Sequence, residues 1–180
     1  MFSDFRMHVI GVPQVAPAFG VGKGNVIIDG PGWNEDFRLE PITGNPADRY
    51  KFPSSPLSNA ALQPAFFHNG AFTRLEDAIQ HHLDVARSLR DYDPVTAELD
   101  NDLTLPIGPL APMLARLDPL LVTPLEPQSE EFHDLVAFVR ESLLDGWTAR
   151  KTCANLPRSV PSGFSVLQFE RCQAREPDSD

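Results

Sequence analysis

Proline is the residue that most restricts how this chain can fold. Eighteen of the 180 residues are proline, about twice the usual share. Because proline breaks the interior of a helix or a central strand, this frequency predicts long irregular connections. The first 65 residues are the extreme case, since GVPQVAPAFGVGKG and DGPGWNEDF are typical of loops and NVIID suggests one short strand. So much irregular chain predicts either a large ligand or a helical core for it to wrap around.

One helix stands out against this background, and it carries two adjacent histidines. Thr73 and Glu76 form a capping box, TRLE, and apolar residues then recur at spacings of three and four as far as Leu89. His82 lies at the centre of this apolar stripe, whereas His81 is rotated by about 100° towards its flank. We therefore expect His82 to face the core and His81 to face water.

Two further helical segments follow in the second half of the chain. Residues 113–117 suggest a short helix between prolines, and Ser129 is the expected N-cap of a longer one that ends at Gly146. Beyond Gly146 the sequence predicts irregular chain. The overall expectation is a mainly α-helical domain with extensive irregular coil and at most one short strand pair. The expected buried face of the longer helix consists of Phe132, Leu135, Val136, Val139 and Leu143.

Charge and composition exclude some functions and leave others open. The formal charge of −10 argues against nucleic-acid binding, which needs a basic surface. It also suits a soluble surface, or one that attracts a basic partner. There is no apolar run of membrane-spanning length and no secretory signal, so we expect a cytoplasmic chain if Met1 is the natural start. Cys153 and Cys172 are compatible with one disulfide or with two free thiols.

The apolar stripe leaves two explanations for His82. It is either a core histidine satisfied by a backbone carbonyl or an axial ligand to a haem covered by neighbouring apolar side chains. A zinc site is disfavoured because His81 and His82 diverge and HxxxH spacing is absent. A serine hydrolase is disfavoured because no GxSxG motif occurs.

Five segments follow one another along the chain: MHVIGVPQ, TGNPADRYKF, PLSNAALQPAFFHNGAFTRLEDAIQHH, LVAFVRESL and PRSVPSGF. Their order resembles the di-haem cytochrome c peroxidase family, which includes the methylamine-utilisation di-haem enzymes. The segments extend over about residues 4–165. The most specific part is the FFHNGAF-T-LEDAI block, preceded by TG-x-x-x-DRY-x-F.

This resemblance implies a cytochrome c-like helical domain over residues 1–165, followed by a flexible acidic tail at 166–180. It implies haem c as cofactor, with His82 as distal axial ligand of the iron, fourteen residues beyond the loop histidine His68. His68, Phe67 and Asn59 are the further cofactor-binding candidates. The implied activity is peroxide reduction in the periplasm with electrons from a small cytochrome or a cupredoxin.

The chain also departs from the family pattern. It contains no CxxCH, the motif that attaches haem c and supplies the proximal histidine. We therefore expect a C-terminal haem domain without its attachment segment, dependent on an upstream haem domain or a partner chain. Ser58 replaces an arginine that pairs with a haem propionate. The altered order around Gln63 and Ala65 argues against the calcium that relatives hold there. The alternatives are a cofactor-less remnant and a non-enzymatic interaction module on the same scaffold.

Overall fold

Short helices and coil make up most of the fold. The computed structural model describes residues 2–15, 35–103, 107–155, 157 and 159–163. The predominance of helices and coil among these residues confirms the prediction of a mainly helical domain with extensive coil. A π-helical turn, Phe138–Ser142, continues directly from the fifth helix. The helices are α1 Glu40–Thr43, α2 Leu75–Leu83, α3 Val85–Asp91, α4 Ala111–Leu114, α5 Ser129–Ala137 and α6 Gly146–Asn155.

One short strand pair is present in the described part of the chain, as the sequence predicts. Strand β1, Met7–His8, pairs antiparallel with β2, Phe52–Pro53, and His8 lies opposite Phe52. The strand suggested for NVIID, at positions 25–29, lies outside the described residues. No helix among the described residues is long and apolar enough to span a membrane.

The chain divides into two units. The larger unit comprises Ser3–Ser55 and Ala65–Pro127, and the smaller comprises Met1–Phe2, Pro56–Pro64 and Gln128–Asp180. The larger unit contains two hydrophobic clusters, and every histidine discussed as a ligand belongs to it. Core 1 consists of Val9, Phe37, Tyr50, Val85, Leu89 and Met113, and core 2 of Val15, Ala71, Phe72 and Ala78.

The histidine-bearing helix is shorter than the sequence predicts and is followed by a second helix. Helix α2 begins at Leu75 with Arg74 as N-cap, and no side chain caps it. The predicted capping box at Thr73 is therefore wrong, and the Thr73 hydroxyl instead donates to the Ala97 carbonyl at 2.9 Å. At Asp84 the backbone leaves helical geometry, with φ −146° and ψ 82°. Its side chain then caps α3 by accepting from the Arg87 backbone N–H at 2.9 Å.

The later helices agree with prediction in position and differ at their ends. Helix α4 overlaps the short helix expected at 113–117, and α5 begins one residue after its N-cap Gln128, which forms a capping box with Glu131. Gly146 opens α6 instead of ending a helix, because Asp145 accepts the Trp147 backbone N–H at 3.0 Å. The prediction of irregular chain after Gly146 is therefore wrong. Of the expected buried face of α5, Val136 and Val139 are buried, and Phe132, Leu135 and Leu143 are partly buried.

Candidate functional site

His81 is a fully buried core residue, contrary to the expectation that it faces water. Its relative exposure is 0%, and both ring nitrogens have partners. Nε2 lies 2.9 Å from the Ile10 carbonyl oxygen, and Nδ1 lies 2.9 Å from the Ser88 hydroxyl. Because a carbonyl only accepts, Nε2 carries the proton and Nδ1 accepts from Ser88. His81 therefore has no lone pair left for a metal.

Burial of the neutral His81 ring has an electrostatic consequence. Desolvation lowers the pKa of His81 to about 4, and the hydrogen bond to Ile10 opposes this only in part. An uncharged imidazole is therefore the stable form inside the larger unit.

The reversal between the two histidines comes from the phase of the buried face. Leu75, Ala78 and His81 are the buried residues of α2, a line at three-residue spacing. The sequence prediction placed His82 midway between Leu75 and Leu89, which assumed one continuous helix. Because the helix is interrupted at Asp84, Leu89 belongs to α3 and does not share the phase of α2.

His82 is exposed, contrary to the expectation that it faces the core. One of its ring nitrogens has a hydrogen-bond partner, and the other has none among the described residues. Nδ1 lies 2.8 Å from the Ala78 carbonyl oxygen one turn earlier, so Nδ1 carries the proton in the neutral ring. Nε2 is then the unprotonated nitrogen, and none of the described residues hydrogen-bonds to it. Although the residue as a whole is exposed, its ring stacks on Phe67, and desolvation lowers the pKa of His82 more than the Ala78 hydrogen bond raises it, which favours the neutral ring. A histidine whose Nδ1–H is bound to a carbonyl is the usual form of an Nε2 metal ligand.

Phe67 fixes the plane of the His82 ring. The two rings stack with centroids 5.4 Å apart and an interplanar angle of 13°, and Phe67 meets His81 edge-on at 5.1 Å. Its backbone has φ +64°, a left-handed conformation that costs a non-glycine residue about 1 kcal/mol or more. Such a conformation persists only where the surroundings hold it. Phe67 is therefore a rigid apolar wall beside His82.

His68 belongs to a separate group of side chains in the larger unit. Its Nε2 lies 2.7 Å from Oδ2 of Asp36, and its ring stacks on Phe52 with centroids 4.5 Å apart. Asp36 is buried, at 5% exposure, and its Oδ1 accepts the Arg38 backbone N–H at 2.9 Å. The described contacts of His68 therefore link its loop to the segment around Asp36.

Asn59 belongs to the smaller unit and has a local structural role there. It has φ +62°, its backbone N–H donates to the Leu143 carbonyl at 2.9 Å, and its Oδ1 accepts from the Asp145 backbone at 2.7 Å. Of the four predicted site residues, the structure thus brings Phe67 and His82 together. Sequence reasoning missed two partners. Asp36 is 32 positions from His68, a spacing that gives no signal, and Ser88 lies seven positions beyond His81, in the separate helix α3.

The donor set fits one axial ligand and does not fit a self-contained metal site. Within the described ranges, no three His, Cys, Asp or Glu side chains are grouped so as to hold an ion. His82 offers a single oriented nitrogen beside an aromatic wall, which suits a haem iron held from one side. No protein-family model, curated protein or solved structure matches this chain.

Proposed function

We propose that this chain is a haem-binding electron-transfer domain of a di-haem cytochrome c peroxidase-like oxidoreductase, with a cytochrome c-like fold. The observation that carries the proposal is made at His82, whose Nδ1 is bound to the Ala78 carbonyl and whose Nε2 has no hydrogen-bond partner among the described residues. The family resemblance of the segments around His68 and helix α2 supports the same residue, His82, as the iron ligand. When bound, haem supplies reversible one-electron chemistry at iron.

The residues of this chain have defined parts in the proposal. His82 would be the residue that holds the haem iron, and the Ala78 carbonyl keeps the proton on Nδ1, so that Nε2 would be free to bind the metal. Phe67 keeps the imidazole plane fixed and would add an apolar side chain beside the macrocycle. Because the sequence has no CxxCH, the proximal histidine and the peroxide-cleaving haem come from an upstream segment or a partner chain.

The proposal includes a donor and a location. The charge of −10 suits a small donor protein with a basic face, such as a cytochrome or a cupredoxin, because complementary charge accelerates encounter. The reaction is the reduction of hydrogen peroxide, and its compartment is the periplasm.

A second candidate, a haem-free interaction module, is favoured by the packing of the described residues. Every buried side-chain nitrogen and oxygen among them has a hydrogen-bond partner, so no polar group requires a cofactor. Exposed apolar side chains at Leu120, Val122 and Leu125 are of the kind that partner proteins cover.

Absorption spectroscopy with added haem distinguishes the two candidates. We expect the purified chain to give a sharp Soret band with haem and the His82→Ala variant to lose it. His133→Ala is the matched control, since His133 is an exposed histidine in the smaller unit, and it should keep the band. If His82→Ala bound haem as well as the wild-type chain, His82 would not be a ligand of the iron. No haem binding, together with a cooperative melt, would favour the interaction module.

A further inference from the structure

A histidine outside the proposed haem site is held between two carboxylates. His8 Nε2 lies 2.8 Å from Oδ2 of Asp4, and His8 Nδ1 lies 2.7 Å from Oδ2 of Asp118. Both distances are typical of charge-assisted hydrogen bonds. We call Asp4, His8 and Asp118 together the His8 clasp. Its side chains belong to the larger unit, and His8 and Asp118 are mostly buried.

The geometry of the His8 clasp requires a protonated imidazole. A neutral histidine has one N–H and one lone pair, whereas an ionised carboxylate only accepts. If His8 were neutral, one of its nitrogens would place its lone pair against a carboxylate oxygen. Both short contacts therefore coexist only when both ring nitrogens carry protons.

The His8 clasp joins two distant parts of the chain. Besides the side-chain contact, the Asp118 backbone N–H donates to the Val9 carbonyl at 3.0 Å. The other carboxylate oxygen of Asp118 accepts the Leu120 backbone N–H at 2.9 Å, which fixes the 3-10 turn Pro119–Leu121. Leu121 in that turn packs against core 1. The His8 clasp thus attaches strand β1 to this turn.

The groups around His8 all favour its charged form. Asp118 reaches it from the turn and Asp4 from its own segment, and their hydrogen bonds, Asp118 first, raise the pKa of His8 against a smaller desolvation effect. On the side of β2, the neutral Ser54 bonds to Asp4. Among the described residues, the charges of Asp4 and Asp118 are the ones that act on His8.

We propose that the His8 clasp is a pH-sensitive latch, closed while His8 is protonated and open once His8 has released a proton to solvent. Opening breaks one of the two short contacts and loosens the segment from Ser3 to Val9 and the turn Pro119–Leu121. The effect reaches α2, because the Ile10 carbonyl just beyond β1 holds the buried His81. The latch does not depend on haem.

The test is an NMR titration of the haem-free chain from about pH 6 to about pH 9, since an unperturbed histidine titrates near 6.5. We expect the His8 ring signal to titrate above 6.5. Amide exchange around β1 and the turn, corrected for intrinsic pH dependence, should accelerate about tenfold through the same transition, as expected for one lost charged hydrogen bond. His8→Gln should abolish this step, and His133→Gln should keep it.

A second variant keeps the proposal testable if His8→Gln folds poorly. Asp4 is the more exposed of the two carboxylates, so Asp4→Asn should fold. It should lower the pKa of His8 and move the loosening step to lower pH. Titration of wild-type His8 at or below 6.5, or an unchanged step in either clasp variant, would overturn the latch.

Discussion

Each ring nitrogen of His81 is bound inside the larger unit, whereas His82 has one nitrogen bound to its own helix and, in the part of the chain that the structure describes, no partner for the other. The difference follows from one residue of helical rotation. A buried imidazole must satisfy both nitrogens from the protein, and an exposed one does not. His82 can therefore offer a nitrogen lone pair to a ligand, whereas His81 cannot.

Alanine variants of the two histidines should separate these tasks. His81→Ala leaves the Ile10 carbonyl and the Ser88 hydroxyl without their buried partner and opens a cavity, so we expect a loss of about 3 kcal/mol of unfolding free energy. His82→Ala removes a hydrogen bond within one helix and one stacked ring, and should cost about 1 kcal/mol. Urea denaturation of the two variants checks this. A larger loss of unfolding free energy for His82→Ala than for His81→Ala would instead support the sequence prediction that His82 faces the core.

The sequence could not predict which of the two histidines is buried, although it did single out the pair for a possible ligand role. Apolar residues occur on both sides of the histidines, and the choice of phase depends on whether the helix continues past Asp84. Partners such as Asp36 for His68 and Asp118 for His8 are separated by 32 and 110 positions. Spacing along the chain carries no signal for pairs that only tertiary folding brings together.

At the scale of elements, periodicity predicts some of the helices, and local hydrogen bonds set their ends. The segments containing α2, α4 and α5 are predictable because apolar residues recur at helical spacing. Their boundaries depend on single side chains, since Asp84 interrupts one predicted helix and Asp145 starts the unpredicted α6. Asp and Asn are favoured both in turns and at helix N-caps, so their role is fixed only by the backbone around them.

The cap between α2 and α3 can be tested by removing the Asp84 carboxylate. Asp84→Ala deprives the Arg87 backbone N–H of its acceptor and should cost about 1 kcal/mol. Asp91→Ala at the other end of α3 is the matched control. Asp91 is exposed and lies 3.5 Å from the exposed Arg87 side chain, a contact worth about 0.5 kcal/mol or less. Thermal or urea melts compare the two, and equal losses would contradict the capping role.

Close packing of a loop glycine against α3 gives a second test at this scale. Gly11 has φ +68°, and a Cβ there would overlap Val85 and lie 3.3 Å from Leu89 Cδ1. Gly44 has a similar φ of +69° with open space around it. Gly44→Ala should therefore cost about 1 kcal/mol for backbone strain alone. Gly11→Ala should cost about 2 kcal/mol more from overpacking core 1. Comparable denaturation midpoints for the two variants would argue against this contact.

For the molecule as a whole, two histidines with opposite pKa shifts limit the pH range of stability. Burial lowers the pKa of His81 to about 4, so the unfolded chain takes up this proton first as the pH falls below 6.5. Its contribution is complete above pH 6.5 and is lost as the pH falls towards 4. His8 has the opposite shift because its carboxylate partners raise its pKa. Its contribution is complete below 6.5 and is lost as the pH rises through the folded pKa.

The unfolding free energy of the haem-free chain should therefore pass through a maximum near pH 6.5. On the acid side His81 alone accounts for about 3 kcal/mol between pH 6.5 and 4, since one pKa unit corresponds to about 1.4 kcal/mol. His82, whose pKa is also lowered, acts in the same direction. The carboxylates of Asp4, Asp48 and Asp93, whose pKa values are lowered, lose their contributions only below the ordinary value of 3.8. Urea denaturation across this range measures the profile. His8→Gln should flatten the alkaline limb and leave the acid limb unchanged, whereas a monotonic wild-type profile between pH 4 and 9 would contradict the assignment of both histidines.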